Sequence, residues 1–397
     1  MPGPLEGLKV LDLTWVLSGP FASMVLCDLG AEVIKVERPG SGDIARTTGP
    51  FINDESCYFF SINRGKKSVT INLRSEKGKR IFLDLVRQFD VLLENFVPGT
   101  MDSLGLGYNV VKTHNPSIIY AACSGFGQSG PDAQRPALDV IVQGMGGVMS
   151  VTGYPGGPPA RPGLSLGDIA AGLFTAVGVL AALHERTKSG QGQMVDVSML
   201  DCQVAIQENA FIRYFATGQM PGPLGTRHPA STPFQAFPTK DGYIVLALSW
   251  GQENMWEMYC ALIGRPDLID DERFETSWSR TQHHAVLEPI LAEAMKEKTT
   301  AEWLAELQAI GMPCGPLNNI AQAAQEPQIV HRQMLVDIHH PRMGTLKVAN
   351  SPVKLSRTPT KVGELPPDLG QHTEEVLGRY LGLSDEEIAR MKEEGVM

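Results

Sequence analysis

Between residues 8 and 127 the sequence alternates short apolar runs with helix-length segments. "LKVLDLTWV" reads as a strand, "GPFASMVLCDLG" as a turn and helix closed by Gly30, and "AEVIKVERPG" as a second strand ending in a turn. The pattern recurs as the helix "EKGKRIFLDLVRQF", the strand "DVLLENF", the helix "MDSLGLGYNVVKTHN" and the strand "SIIYAACSGFG". Strands joined through helices run parallel, and a parallel sheet needs helices over its faces. The expected core is therefore an α/β domain with a parallel sheet flanked by helices.

At 397 residues the chain has room for a second domain. After another strand, "GQMVDVSML", the segment "GQMPGPLGTRHPASTPFQAFP" is rich in Pro and Gly and reads as a crossing. A smaller unit follows, from the strand "GYIVLALSW" through amphipathic helices near residues 254–263 and 301–310 to the turn "GMPCGP". The tail "LSDEEIARMKEEGVM" carries a capping box, Ser384 with Glu387, ahead of its own helix.

The formal net charge of −10 argues against general affinity for nucleic acid or anionic membrane. The N-terminal residues lack the zones of a signal peptide, and the longest apolar run, 169–183, is too short to span a bilayer comfortably. A soluble, cytoplasmic protein is expected. The six cysteines form no CxxC pair, so reduced thiols are expected rather than a zinc site or disulfide framework. The adjacent pairs His283/His284 and His339/His340 lack the i, i+4 spacing of a metal-binding helix, and no metal is expected.

A βαβ opening invites a dinucleotide reading, with Glu37 where a ribose-binding acid would sit. The turn "VLSGPFAS" has one Gly followed by Pro, not G-x-G-x-x-G, and argues against it. Arg38 and the stretch "NRGKKSVTINLRSEKGKR" concentrate positive charge in an acidic chain, a pattern that fits either phosphate binding or a solvated face.

In "RPGLSLGDIAAGL" one carboxylate, Asp168, stands at the mouth of a segment that is small or apolar on nearly every face until His184, the pattern of a buried helix. The ordinary reading of such an Asp is an N-cap.

Taken with "ENFVPGTMDSLGLGY", "SGFGQSGPDAQRPALD", "KSGQGQMVDVSMLD", "HPASTPFQAFPTKDGYI", "GMPCGPLNN" and "GQHTEEVL", these blocks resemble the family III coenzyme A transferases across almost the whole chain. The resemblance implies a doubly wound, Rossmann-like α/β large domain built from both chain ends (1–217 and 331–397), a smaller inserted α+β domain with its linker (218–330), and an interlocked homodimer. It makes Asp168 the nucleophile. A carboxylate can attack an acyl-CoA thioester to give an anhydride, which CoA thiolate converts to an enzyme thioester. A helix N-terminus would favour the ionised carboxylate, and Ala170, Ala171 and Gly172 would leave room for the thioester. By the same resemblance CoA contacts fall at Val16 and Leu17, at Arg38, at Ile71, Asn72, Leu73 and Arg74, at Asn95 and Phe96, and at Asp139. Arg38 and Arg74 would meet phosphates. Val97 and Ser103 stand where relatives often place basic residues, and Arg64, Lys66 or Lys67 could substitute. CoA enters as a substrate, with no permanently bound cofactor.

Racemases of the same superfamily carry a His before the Asp of the block that here reads "RPALD"; Leu138 stands in its place and cannot shuttle a proton. The alternatives are thus an acyl-CoA racemase or a non-catalytic CoA-binding protein, and an intact Asp168 argues against the second. Oxalate-type transferases place Gln where Leu17 stands and carry a tetraglycine loop absent here. The remaining blocks are more similar to enzymes that pair succinyl-CoA with dicarboxylic acids. Arg227 and His228 in "GTRHPAS" are candidates to hold the acceptor carboxylate; the bland reading of His228 is packing against Pro229 in a turn.

Overall fold

The computed structural model describes residues 3–248 and 254–397, with Glu208 described in its backbone alone. Six parallel strands form the main sheet: β1 (Lys9–Asp12), β2 (Glu32–Glu37), β3 (Lys67–Thr70), β4 (Val91–Glu94), β5 (Ile119–Ser124) and β6 (Met194–Ser198), in the order β3-β2-β1-β4-β5-β6. The Rossmann order runs outward from β1 in both directions, leaving a crevice beyond the carboxyl ends of β1 and β4. β2, β4 and β5 are almost wholly buried, which explains why their sequences are continuous apolar runs rather than alternating ones.

Helix α1 (Ser18–Asp28) follows β1, and α2 (Glu76–Val86) follows β3 with its Ser75 cap. Two further helices matter for the site: α3 (Asp139–Met145) and the 24-residue α4 (Leu166–Ser189). The C-terminal helices Thr373–Leu381 and Asp385–Glu393 bury Val376, Leu377 and Ile388 in the core beside β1, β2 and β3. Both halves of the Ser384–Glu387 capping box form.

The chain divides into two compact units: Met1–Met149 with Arg161–Gln219 and Gln328–Met397, and Ser150–Ala160 with Met220–Pro327. The second unit holds an antiparallel sheet of β7 (Phe234–Pro238), β8 (Tyr243–Ala247) and β9 (Cys314–Pro316), with β8 central. Helices Met255–Leu262, His284–Met295 and Thr300–Ala309 share with that sheet a core that includes Tyr259, Leu287 and Trp303.

Several expectations are corrected. The short segment Ser150–Ala160 groups with the second unit, an excursion that no composition shift marks. "GMPCGP" ends in a strand, β9, and the crossing ends in another, β7. Their prolines fit because Pro238 ends β7 and Pro316 ends the edge strand β9. The helix read over 101–115 is two short ones, Thr100–Ser103 and Tyr108–His114, interrupted where Gly105 takes a left-handed φ of 73°. Ser249 and Trp250 of the "GYIVLALSW" strand lie outside the described residues.

Helix α4 is not buried on all sides. It packs on α1, β5 and β6, yet Leu173, Phe174 and Val177 stay exposed, Val177 at 60%. By length and composition it is also long and apolar enough to cross a membrane, contrary to what the 169–183 run suggested, because the helix extends beyond that run at both ends.

Candidate active site

Asp168 is the third residue of α4, not its cap; Ser165 holds the cap position without a side-chain bond. The orphan N–H groups of this turn are served from α3 instead. Asp139 Oδ1 accepts the Gly167 N–H at 2.8 Å, and Asp139 Oδ2 accepts Gln143 Nε2 at 2.7 Å. A Cβ on Gly167 would lie 2.7 Å from Val142 Cγ2, so only glycine permits this approach.

Asp168 itself is half-buried in the first turn of α4. Burial, helped by the nearby Asp139 charge, pushes its pKa up to about 7, against a hydrogen bond from Ser18 that acts to lower it. The raised pKa runs against the expectation that the helix N-terminus would favour the ionised form, and its largest cause is burial. The small residues also serve a different purpose. A Cβ on Gly172 would sit 2.7 Å from the Ser18 carbonyl oxygen, so this glycine lets α4 press against α1.

The β1–α1 turn places Ser18 at the first position of α1, with its carbonyl oxygen against Gly172 of α4. Asn95, just past β4, accepts Trp15 N–H at 2.9 Å, donates to Trp15 O at 2.8 Å, and reaches Ser18 Oγ with Nδ2 at 3.3 Å. Asp43 Oδ1 accepts Val16 N–H at 3.1 Å, and Val16 holds a left-handed φ of 65°. A β-branched residue in that region is strained and persists only where its surroundings fix it. Here they do: the other Asp43 oxygen pairs with fully buried Lys35 at 2.9 Å, and Lys35 Nζ donates to Thr14 O at 2.5 Å. Alongside, Asp12 meets Lys66 at 3.0 Å; burial opposes the Asp12 charge, but Lys66 and Lys35 outweigh it and hold the pKa down at about 2.

The expected CoA contacts divide by what the fold leaves free. Val16, Leu17, Asn95 and Phe96 border the crevice. Leu17 is buried, and Phe96 meets the exposed Trp15 edge-on at 5.8 Å while its N–H is held by Glu94 at 2.8 Å. Beyond β3, Ile71 is buried; Leu73 packs on the core, and Asn72 accepts Arg74 N–H at 3.1 Å and donates to Gly395 O at 3.0 Å, which shapes the turn bearing Arg74. Arg38 and Arg74 are exposed, and neither forms an ion pair among the described residues. The suggested substitutes are committed elsewhere: Arg64 to Asp28 at 2.7 Å, Lys66 to Asp12, and Lys67 to Glu32 and Glu375. Glu37 is likewise taken up by Arg46, Ser68 Oγ and the Asp43 N–H. Both oxygens of Asp139 are engaged within the fold, one at the start of α4 and one at Gln143.

Arg227 and His228 belong to the second unit. The His228 ring stacks on Phe234 at 4.7 Å, and its Nδ1 accepts Ala230 N–H at 3.2 Å. Half-buried Arg227 forms no ion pair among the described residues; its charge, second to burial, holds the His284 pKa below its ordinary value. Among the described residues no three His, Cys, Asp or Glu side chains gather as metal ligands would. Ser18, Trp15 and Asp43 were missed from the sequence; the Ser preceding Gly-Pro at a helix start was the available signal for Ser18.

A six-stranded parallel α/β unit with a desolvated carboxylate beside its crevice defines an enzyme-like site of the Rossmann-like class. The sequence model described as CoA-transferase family III matches residues 5–373, and the chain belongs to that family. It is an enzyme of this family. Human "Succinyl-CoA:glutarate CoA-transferase" is 40% identical over 395 residues, covering 99% of this chain and 90% of the human one. "Acetyl-CoA:oxalate CoA-transferase" of Acetobacter aceti is 43% identical over 355 residues, covering 89% and 90%. A crystal structure of a CAIB/BAIF family protein from Brucella suis superimposes with a TM-score of 0.84 at 36% identity, covering 96% of this chain and all of that one (100%).

Proposed function

We propose that this protein moves CoA from an acyl-CoA donor, succinyl-CoA before others, to a small dicarboxylic acid, with Asp168 as the nucleophile. The observation that carries this reading is the Asp168 carboxylate itself, half-buried in the first turn of α4, where desolvation and the Asp139 charge raise its pKa. Two relatives named for glutarate and oxalate support a dicarboxylate. The second keeps oxalate among the acceptors and acetyl-CoA among the donors, although Leu17 and the missing tetraglycine loop had argued against oxalate.

In the first step an Asp168 oxygen attacks the thioester carbon; the C–S bond breaks, CoA thiolate leaves, and an aspartyl–acyl anhydride remains. The thiolate then attacks aspartyl Cγ, the C–O bond breaks, and the donor acid departs as carboxylate. The acceptor carboxylate attacks the resulting aspartyl thioester and releases CoA thiolate. Thiolate attack on the acceptor's carbonyl then frees acyl-CoA and Asp168. Arg38 and Arg74, exposed cations without partner carboxylates, would take the nucleotide phosphates. Racemisation is disfavoured by Leu138, which is 67% exposed at the α3 cap and offers no acid or base.

We also read the working form as a soluble, cytoplasmic homodimer, because exposed Leu173, Phe174, Val177, Ile212 and Phe215 form more apolar surface than a lone subunit usually leaves open. The test of the activity offers succinate, glutarate, itaconate, mesaconate, oxalate and carnitine with succinyl-CoA and with acetyl-CoA. Turnover confined to monocarboxylates or carnitine contradicts the dicarboxylate reading. Hydroxylamine trapping and mass spectrometry must place the adduct on the peptide containing Asp168, and Asp168→Asn must abolish it.

A further inference from the structure

Between β1 and α1 three consecutive N–H groups are accepted by side chains rather than by backbone. Thr14 N–H bonds to Asp12 Oδ1 at 2.9 Å, Trp15 N–H to Asn95 Oδ1 at 2.9 Å, and Val16 N–H to Asp43 Oδ1 at 3.1 Å. The acceptors come from the end of β1, from the residue past β4 and from the loop past β2, so the turn is shaped by long-range partners. Any small polar side chain could accept from Val16, which leaves the carboxylate at position 43 to be explained. Its partner explains it. Lys35 of β2 is fully buried and stands opposite Asp12 in the sheet register; its Nζ lies 2.9 Å from Asp43 Oδ2 and donates to Thr14 O at 2.5 Å. The pair therefore spans the turn, the ammonium gripping its first carbonyl and the carboxylate its third N–H. Asp43 is itself fixed, since its N–H donates to Glu37 Oε2 at 2.9 Å and its Oδ1 also accepts Ala45 N–H at 2.9 Å. Beside these grips Val16 holds a φ of 65°, which a β-branched residue keeps only under such restraint.

We propose that the Lys35–Asp43 pair is a positioning brace that pre-shapes the β1–α1 turn for acyl-CoA, a role that rests on acyl-CoA entering the crevice beside that turn. In an open parallel sheet, ligands bind beyond the carboxyl ends of the strands where the strand order reverses, and that point lies here at β1 and β4. The turn also decides where α1 begins. The N–H groups of Leu17, Ser18 and Gly19 meet no acceptor among the described residues, Pro20 has none to give, and Phe21 makes the first N–H bond of the helix, to Leu17 O. The torsions at Val16 thus set where three free donors stand at the edge of the crevice. The Lys35 and Asp43 side chains are 0% and 1% exposed, so neither touches substrate and both act through the backbone of the turn. A turn held in this shape before the ligand arrives spares binding the cost of ordering it. Without the brace Val16 relaxes to a negative φ, and acyl-CoA has to drive it back.

The test compares two double variants of the full-length protein, both of which leave the core without a stranded charge. Lys35→Met with Asp43→Asn keeps an acceptor for the Val16 N–H, and Lys35→Met with Asp43→Leu removes it at similar volume. The leucine form should raise the KM for the acyl-CoA donor about tenfold or more, while kcat and the KM of the acceptor acid stay within about threefold. The asparagine form should recover at least about threefold of that loss. A merely structural role would lower kcat with the active fraction and leave KM unmoved. Circular dichroism and urea titration check folding; should the leucine form not fold, Lys35→Met with Asp43→Ala takes its place with the same expectation. An equal KM for acyl-CoA in the two double variants, or a rise shared by the acceptor acid, overturns the proposal. The underlying reading is judged in the unmodified protein, where a photoreactive acyl-CoA should label the tryptic peptide that contains Val16. Label confined to other peptides would remove acyl-CoA from this crevice, and the brace with it.

Discussion

Asp139 Oδ1 accepts the N–H of Gly167 at 2.8 Å, which places a carboxylate from α3 against the residue that precedes Asp168 in α4. The bond fixes the first turn of α4, and the same charge raises the pKa of Asp168. Asp139→Asn separates the two effects. The amide oxygen can still accept from Gly167, and Gln143, whose Oε1 is buried and unpaired, can turn its amide to receive the new N–H. The rate should fall as pH drops through about 7 in the parent enzyme, because Asp168 must be ionised to attack. In Asp139→Asn this acid limb should move down by about one pH unit, with the rate at pH 8 nearly unchanged. A pH–rate profile that does not move would assign the raised pKa to burial alone.

Asp168 also sets a pH dependence of stability. Its pKa of about 7 when folded lies above the 3.8 of the free group, so the folded chain holds the proton more tightly than the unfolded chain. The ionised carboxylate therefore destabilises the fold progressively between those two values, fully above the upper one, and not below the lower one. Asp168→Asn should be more stable than the parent at pH 8, by on the order of 2–4 kcal/mol, and equal to it near pH 4. Thermal denaturation at the two pH values gives the answer; equal stability at pH 8 would contradict the raised pKa.

The clustered cations should separate into two groups under mutation. Arg38→Ala and Arg74→Ala should raise the KM for acyl-CoA about tenfold or more and leave the KM of the acceptor acid nearly unchanged, since both are exposed and free of carboxylates. Lys66→Met should instead lower stability by about 3–5 kcal/mol, because it strands the Asp12 charge in the core. Steady-state kinetics and urea titration distinguish the groups. An effect of Arg38→Ala on both substrates alike would remove its assignment to phosphate.

The sheet was legible because each βαβ repeat is a local pattern: "LKVLDL" and "AEVIKVE" announce β1 and β2 by their apolar content alone. Asp168 was legible because its neighbours are apolar. What the sequence hid was long-range. Lys66 read as one of a cluster suited to phosphate or to a solvated face, but Asp12 holds it in the core, as Asp43 holds Lys35, and no local pattern links position 35 to 43 through a strained Val16. The site's electrostatics were misread for the same reason: a helix start is visible in sequence, whereas the desolvation by α1 and the Asp139 charge come from elements 29 or more residues away. Exposure of one face of α4 was equally hidden, since an exposed apolar residue looks the same in sequence as one facing the core.

That face yields a direct prediction. Val177 is 60% exposed on α4, and Phe215 is 75% exposed on the helix Glu208–Thr217. In a homodimer Val177→Glu would place a charge in an apolar contact and should shift the protein toward monomer in analytical ultracentrifugation. For a chain that works alone the substitution is an ordinary surface change, with an effect within about 0.5 kcal/mol and no change in sedimentation.

Arg227 tests where the acceptor's distal carboxylate is held. It is half-buried, forms no ion pair among the described residues, and lies close enough to His284 to depress that imidazole's pKa; His284 in turn meets Gln235 at 2.9 Å and Glu288 at 3.2 Å. A guanidinium left without a carboxylate in such a setting suits a dicarboxylate, whose second charge it can take in a bidentate pair. His228, by contrast, is occupied in stacking on Phe234, so His228→Ala should act on the stability of the second unit more than on acid selection. If Arg227 binds the acceptor, Arg227→Ala should lower kcat/KM for glutarate or succinate by about 2–4 kcal/mol, that is, roughly 30- to 900-fold, and leave the KM for acyl-CoA unchanged. Monocarboxylates such as butyrate, which lack the second charge, should lose far less, because the group that Arg227 would hold is absent from them. Equal losses for butyrate and glutarate would show that Arg227 supports the fold of its own unit, and the distal carboxylate would then have to be sought among other donors.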